Sequence, residues 1–554
     1  MPAEAEMSHT YKMNSNRIFD QLGVMADCSR NSVMSLSALK KLAGMLAAMG
    51  YNTLQLYTED TYEVDGEPYF GYLRGRYTKT ELKELDAYAA GLGIELIPCI
   101  QTLAHLNQIF CWPEYRPIRD CGDILLAGEE RTYQLIDNIF STLAECFTSR
   151  RVHIGMDEAH MLGLGSYLDK HGYENRHNIM LKHLERVLAI AGKYGFRCMM
   201  WSDMFFILAG FGPNFRGDGD IPADVRARIP QNVDLIYWDY YSFDKANYDK
   251  NFKRHKTIGN HTVFAGGVWT WTGITPHNRS AIGVTEAAFE SCREHGIREA
   301  FLTAWGDNGG SCSPFSALPA LFWASELAKG NQNPKTIKRK FEALTGVPFD
   351  VFSCVDLPDR LYEDQPLGWQ NPSKYLFYND CLLGRFDSVL ERGVGDVYKS
   401  HARKLKRAEN YSEWAFLFKP LRLLCEALYY KADLGVRMRE AYRAGDRAAL
   451  AALVSSVYKP LIKKIKEFYQ AFAAYWDTLF KPHGFDVMDL RIGGLLLRLE
   501  HISAKLLAYA SGKTDKIAEL DEELLDIFGG GKAHVKNKVY QADRFADIYS
   551  VNVV

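Results

Sequence analysis

The stretch Arg151-Val-His-Ile-Gly-Met-Asp-Glu158 decides how this chain is read. It is an apolar run of strand length, expected to be buried over residues 152–156, and it ends on two adjacent carboxylates, Asp157 and Glu158. Buried strands do not ordinarily finish on paired acids. In a protein of alternating strands and helices, acids at the carboxyl end of a strand point to acid chemistry at the mouth of a barrel.

Working outward, the same texture repeats. Short apolar runs at 22–27, 53–57, 95–100, 197–201, 235–238, 262–267 and 300–303 join 152–156 to make eight expected strands. Continuous apolar runs of this kind suit parallel strands buried on both faces. Helical periodicity separates most of them, at 36–49, 80–92, 131–149, 175–194 and 283–295. Gly93, Gly195 and Gly296 each follow a helix, where a left-handed cap is expected. The fold class is therefore α/β, a (β/α)8 barrel over 18–334. A polar segment, 1–17, precedes it, and an α-helical domain, 335–554, follows. In that last part strand-like runs almost vanish, and amphipathic stretches at 397–444, 447–479 and 490–510 are divided by turns at Gly445-Asp446 and Pro482-His-Gly484. Gly529-Gly-Gly531 is the one low-complexity stretch.

Bulk properties narrow the function classes. With 554 residues, 47% hydrophobic and 24% charged, the composition is ordinary for a globular protein. A net charge of −2 gives no reason to expect nucleic acid or an anionic membrane as partner. Aromatic residues are abundant, with 10 Trp, 31 Tyr and 30 Phe, which fits either a large core or a site that stacks on sugar rings. No run approaches the roughly 18 apolar residues of a membrane span, and the first residues carry no secretory pattern. The 11 cysteines are irregularly spaced and no CxxC or HExxH pattern occurs, so a reduced cytoplasmic protein without metal or cofactor is expected.

In a barrel of this class the chemistry lies at the carboxyl ends of the strands. Read there, the chain offers Asp27-Cys-Ser-Arg30, Tyr57-Thr-Glu-Asp60, Gln101-Thr-Leu-Ala-His105, Asp157-Glu158, Trp201-Ser-Asp203, Tyr237-Trp-Asp-Tyr-Tyr241, Trp269-Thr-Trp271 and Trp305-Gly-Asp307. Any single Trp or Asp here is more often core or helix cap than ligand contact. As a set, aromatic walls and converging acids describe a pocket that grips one sugar ring. The candidate binding residues are Arg30, His105, His153, Trp201, Tyr237, Trp238, Asp239, Tyr240, Trp269, Trp305 and Asp307, around Asp157 and Glu158 as catalytic pair.

His153-x-Gly155-x-Asp157-Glu158 on the fourth strand resembles the catalytic signature of glycoside hydrolase family 20, the β-N-acetylhexosaminidases. The resemblance covers roughly residues 18–330 and extends to Asp27-x-Ser29-Arg30, Trp201 and Trp305-x-Asp307. It implies that Glu158 is the general acid/base and that Asp157 orients the substrate's 2-acetamido group. It further implies that Arg30 and Asp307 hold the ring's hydroxyl edge, that Trp305 forms the floor and that His153 supports the carboxylates. Two features depart from the pattern. Asp307 stands where Glu is more usual, and the tyrosine expected to meet the acetamide oxygen is left open among Tyr237, Tyr240 and Tyr241. The barrel also lacks a preceding α+β domain and carries a helical extension, which is similar to a compact bacterial branch of exo-enzymes, often homodimers.

The adjacency of the acids bears on mechanism. An ordinary retaining glycosidase sets its two carboxyl groups about 5 Å apart across the scissile bond, usually from different strands. Neighbours on an extended chain point to opposite faces, so Asp157 and Glu158 are poorly placed for that division of labour. They fit one in which the substrate's acetamido oxygen is the nucleophile. The expected partner is then a glycan or glycoconjugate with a terminal β-linked GlcNAc or GalNAc. The competing readings are a retaining β-glycosidase with a covalent intermediate on Asp203, Asp239 or Asp307, and a non-catalytic sugar-binding barrel, which would be expected to have lost Asp157 or Glu158.

Overall fold

The eight apolar runs form eight parallel strands that close on themselves: β1 (Gln21–Asp27), β2 (Thr53–Tyr57), β3 (Glu95–Cys99), β4 (Arg151–His153), β5 (Arg197–Trp201), β6 (Val233–Trp238), β7 (Thr262–Gly267) and β8 (Glu299–Ala304). The structure is a computed structural model that describes residues 17–210, 219–527 and 541–552. Each strand pairs with its sequence neighbours, and β1 closes the ring against β8 from Gln21↔Glu299 to Ala26↔Ala304. This is the (β/α)8 barrel expected from the sequence. Seven strands appear close to their expected bounds, whereas β4 stops at His153, three residues short of the expected end at 156.

Local chemistry places the helices. The helix Leu36–Met49 starts where the Ser35 side chain accepts from Ala38 N, ends on Gly50 at φ 92°, and buries Leu39, Leu42, Leu46 and Met49 against the barrel. Lys79–Gly91 opens with a reciprocal capping box between Thr78 and Glu81. Gly93, Gly195 and Gly296 take φ of 74°, 73° and 69°, the left-handed caps their positions predict.

At the amino-terminal end of the barrel, Arg151 plugs the bottom through Gln21, Glu95 and Glu299, leaving the opposite end open for chemistry. In the carboxyl-terminal part, the stretch 397–444 is not continuous. It breaks into Gly395–Ala408, Ala415–Lys431 and Leu434–Arg443; at the first break buried Trp414 donates its indole N–H to Thr345 O. Arg447–Leu453 runs through one π turn at Val454–Tyr458 into Lys459–Leu479, and Asp486–Ala510 follows the 482–484 turn.

This helical part braces the barrel mouth at β1 and β8. Ser35 N donates to Leu479 O at 2.9 Å, and Lys481 N donates to Val33 O at 2.8 Å. Gly484 sits so close to Asn31 that a Cβ would fall 1.8 Å from its carbonyl oxygen, so only glycine fits. Arg491 holds Asn308 O at 2.9 Å. The loops carrying Arg30 and Asp307 are thereby fixed from outside the barrel. Among the described residues, no helix is long and apolar enough to cross a membrane. Residues 1–16 of the expected polar segment and Gly529-Gly-Gly531 lie outside the described residues.

Candidate active site

The residues after β4 explain the motif. The chain leaves the strand at His153 and turns left-handed at Gly155 (φ 70°), Met156 (φ 70°) and Glu158 (φ 49°). Gly155 is required there, since a Cβ would lie 2.0 Å from Gln101 Oε1. Five of the six non-glycine residues at positive φ among the described residues lie at strand ends: His105, Met156, Glu158, Trp269 and Asn308. Backbone strain of this kind persists only where surrounding structure holds it, commonly at functional sites.

The turn corrects one step of the sequence argument. Asp157 and Glu158 are not neighbours on an extended chain, and their carboxylates do not face opposite ways. Both converge on one nitrogen: His105 Nε2 lies 3.1 Å from Asp157 Oδ2 and 3.7 Å from Glu158 Oε2. Around them is a pocket lined also by Arg30, Trp201, Trp238, Tyr240, Trp305 and Asp307. Nine of the thirteen site residues expected from sequence thus share one cavity.

Electrostatics separates the two acids. Burial works against the charge on Asp157, but the His105 imidazolium and the Gln101 amide outweigh it and hold the carboxyl down to about 2. Burial likewise opposes the charge on His105, yet Asp157 lifts the imidazole to about 10. Glu158 is shifted the other way. Desolvation in the pocket, reinforced by Asp157, raises its carboxyl above the ordinary value although 43% of its side chain stays exposed. Asp203 Oδ2 accepts the Glu158 backbone N–H at 3.0 Å, and burial pushes Asp203 itself well up. Neighbouring carboxyls with opposed shifts mark an acid/base assignment.

The other side of the pocket is built on Arg30. Its guanidinium meets Asp307 Oδ1 through Nε at 3.0 Å and a terminal nitrogen at 2.8 Å, reaches Asp27 at 3.5 Å and is paired with Glu59. Burial raises Glu59 to about 7 against the pull of Arg30. A hydrogen-bond chain links the two halves. The Tyr57 hydroxyl donates to Glu59 at 3.3 Å, and Gln101 Nε2 donates both to that hydroxyl at 3.1 Å and to Asp157 Oδ1 at 2.9 Å. Trp305 meets Tyr57 edge-on at 4.7 Å, and Trp238 stacks on Tyr240 at 5.2 Å.

Four expected site residues stand outside the cavity. His153 is buried beneath Trp201 at 4.6 Å, accepts Gly155 N at 3.0 Å, and is kept neutral by burial, with its pKa near 3 (lowered to about 3). Tyr237 and Asp239 face the helix Lys245–Ile258: the Tyr237 hydroxyl donates to Asp239 and accepts from Asn251, while Asp239 caps Tyr241 N and Ser242 N. Strand alternation sends 237 outward and 238 into the pocket; beyond the strand's end Asp239 turns back to cap the chain, and Tyr240 and Tyr241 both face the pocket. Trp269 is buried and spends its indole N–H on Tyr240 O at 2.8 Å. Conversely, Tyr57, Tyr241 and Trp271 line the pocket, and Glu59 and Gln101 support it. All five sat in strand-end motifs, but of them only Tyr241 was singled out, as one of three candidate acetamide tyrosines. Trp369, stacked on Tyr241 at 4.7 Å and 4°, comes from the carboxyl-terminal part and had no local signal.

Comparison with known proteins agrees with this geometry. Residues 19–245 match the catalytic domain of glycosyl hydrolase family 20, and 350–539 match the glycoside hydrolase 20C C-terminal domain. Hexosaminidase D of Homo sapiens is 25% identical over 217 residues, covering 37% of this chain and 42% of that protein. A beta-hexosaminidase of Akkermansia muciniphila is 28% identical over 167 residues, covering 25% and 34%. The match to the hexosaminidase D proteins of Homo sapiens and Bos taurus spans about half their length, 42% and 58%. The chitobiase structure of Flavobacterium johnsoniae aligns with a TM-score of 0.47 at 15% identity, covering 83% of this chain and 78% of that one. Two independent matches, to the catalytic and the C-terminal domain of one family, meet the barrel and the pocket described above: the chain belongs to glycoside hydrolase family 20.

Proposed function

We propose that the chain is an exo-acting, retaining β-N-acetylhexosaminidase that releases terminal β-linked GlcNAc or GalNAc with the substrate's own acetamido group as nucleophile. In the first step the acetamido oxygen bonds to the anomeric carbon as the glycosidic C–O bond breaks. Glu158 gives its proton to the departing oxygen, and ionised Asp157 steadies the acetamido N–H as positive charge develops. Water then attacks the anomeric carbon, Glu158 takes its proton, and the oxazolinium ring reopens with net retention. Arg30 and Asp307 grip the hydroxyl edge, Trp305 carries the ring, and Tyr240 and Tyr241 are the tyrosines in reach of the acetamide, Tyr237 being turned away.

The observation that carries this reading is the convergence of Asp157 and Glu158 on His105 at one side of the pocket. Acids available for a covalent mechanism are poorly disposed: Asp239 caps a loop behind the wall, Asp203 is buried behind Glu158, and Asp307 is held by Arg30. Named relatives that are hexosaminidases support the same substrate class. A cytoplasmic setting belongs to the proposal, supported by eleven cysteines that are all free thiols.

The test is release of 4-nitrophenol from the β-GlcNAc and β-GalNAc glycosides against the β-glucoside, together with inhibition by a thiazoline that mimics the oxazoline. Turnover of the acetamido sugars alone, with tight thiazoline binding, is expected. Equal turnover of the glucoside would point instead to a covalent intermediate on Asp307.

A further inference from the structure

We propose that the groove between the helices Gly395–Ala408 and Ala415–Lys431 is an anion site, which takes a short saccharide carrying sulfate or carboxylate groups. No residue that lines this groove lines the pocket at the barrel mouth, so the site stands apart from the reaction proposed there.

The two helices run antiparallel. They approach closely at Gly395, where a Cβ would lie 2.5 Å from the Tyr429 carbonyl oxygen. From there two ridges run side by side to the point where Glu409 is paired with Arg422. One bank carries Lys399, Arg403, Lys406 and Arg407. The other carries Tyr430, Tyr429, Glu426 and Arg422, with Lys464 of Lys459–Leu479 beside them. Small, buried Ala402 also lines the groove and leaves it open between the banks.

The charges do not balance. Six cations and one carboxylate line the groove. Glu426 takes up Arg422 and, at 2.8 Å, Lys464; Glu409 takes up Arg422 and, at 3.1 Å, Lys406. Lys399, Arg403 and Arg407 are exposed and meet no carboxylate among the described residues. They stand four residues apart on one helix face, about 6 Å from one to the next along the axis. Like charges at that spacing repel and weaken a helix. An anion laid along the ridge relieves the repulsion, and in a chain of formal net charge −2 this excess is local.

The facing bank narrows the class of ligand. Tyr429 and Tyr430 are half-buried, with ring centroids 4.9 Å apart, and Lys399 lies 5.1 Å over the Tyr429 ring. Aromatic surface beside three unpaired cations suits a ligand that has both an apolar face and oxyanions. An acidic sugar has both: C–H faces for the tyrosines, and sulfate or carboxylate for guanidinium groups that bind it through two parallel hydrogen bonds. The ridge from Lys399 to Arg407 is about 12 Å long, which favours a short saccharide over a long polyanion. A nucleic-acid surface would carry a broader basic field than this chain offers.

The experiment is isothermal titration of the full chain, at one fixed ionic strength, with a heparin tetrasaccharide, tetragalacturonate, neutral maltotetraose, hexaglutamate and oligothymidylate. At least one acidic saccharide should bind, more tightly than the peptide and the oligonucleotide, and maltotetraose should not. The two acidic arms separate sulfate from carboxylate recognition. Arg403→Gln/Arg407→Gln should lose about tenfold or more in affinity, the worth of one charge-assisted hydrogen bond. Tyr430→Leu should weaken the saccharide but not inorganic sulfate. Both variants keep helix-forming residues at positions outside the core, and their melting temperatures should match the wild type. Silence toward both acidic saccharides, or full affinity in the double arginine variant, would overturn the site. Tighter binding of hexaglutamate or oligothymidylate would overturn the saccharide as ligand, and so would wild-type saccharide affinity in Tyr430→Leu.

Discussion

Gln101 holds Asp157 by two routes at once. Its Nε2 donates to Asp157 Oδ1 at 2.9 Å, and its Oε1 accepts the backbone N–H of Met156, in the left-handed turn just before that acid, at 3.3 Å. In the proposed mechanism Asp157 must be ionised to steady a developing acetamide cation, and with its depressed pKa activity should be lost only as pH falls through a low value. Replacing Gln101 by Glu puts a second carboxylate beside it, and like charges raise one pKa of such a pair. We expect the acid limb of kcat/KM to move up by at least about one unit in Gln101→Glu, while Gln101→Leu loses kcat about a hundredfold, the usual cost of one donor to a catalytic charge. An acid limb that stays in place would mean that Gln101 only fills space.

The pairing of His105 with Asp157 makes a stability prediction with a definite sign. The folded-state pKa of His105 is raised to about 10; in the unfolded chain it is about 6.5. Its stabilising contribution is therefore complete below about 6.5 and disappears as pH rises through about 10. Thermal melts of wild type and His105→Asn should differ most near pH 6 and converge above pH 10 or so. A gap that ignores pH would assign His105 to packing. The substitution also removes a charge that lowers Glu158, so the alkaline limb of kcat/KM should shift upward.

Glu158 and Asp157 separate by leaving group. Glu158→Gln should lose about 10²–10⁴-fold on oligosaccharides, whose alkoxide needs a proton, and clearly less on nitrophenyl glycosides. Equal loss on both would argue against its role as acid. Asp157→Asn should be poor on both classes, and wild-type rates would remove it from the mechanism.

Arg30 does two jobs. Besides facing the pocket, it neutralises Asp27, Glu59 and Asp307. Arg30→Ala should therefore weaken binding and also destabilise the barrel by about 3–5 kcal/mol, because Glu59 is left buried without its partner. Adding Glu59→Gln should recover much of the melting temperature but not the activity. If the double variant melts no higher than Arg30→Ala, the ion-pair account fails.

The barrel and the place of the paired acids at the end of its fourth strand were determined by the sequence itself. Parallel strands buried on both faces must be continuous apolar runs, helices between them must show a period near 3.6, and chemistry must sit where each run ends. Arg30, His105, Trp201, Trp305 and Asp307 were found by that rule because it concerns positions along the chain. Which neighbours of a strand end face the pocket was decided only in three dimensions. At β6 the pleat turns Tyr237 outward and Trp238 inside, a choice of phase that composition does not reveal, and the turn after the strand then holds Asp239 back while Tyr240 and Tyr241 face the pocket. The left-handed turn that brings Asp157 and Glu158 to one side depends on Gln101 filling the space above Gly155, a contact across 54 residues. Trp369 lies farther still, and reaches Tyr241 because the helical part folds back over the barrel mouth. Local propensity and burial determine where a chain forms strands and helices; the direction of a side chain at a strand's end is set by what packs against it from elsewhere.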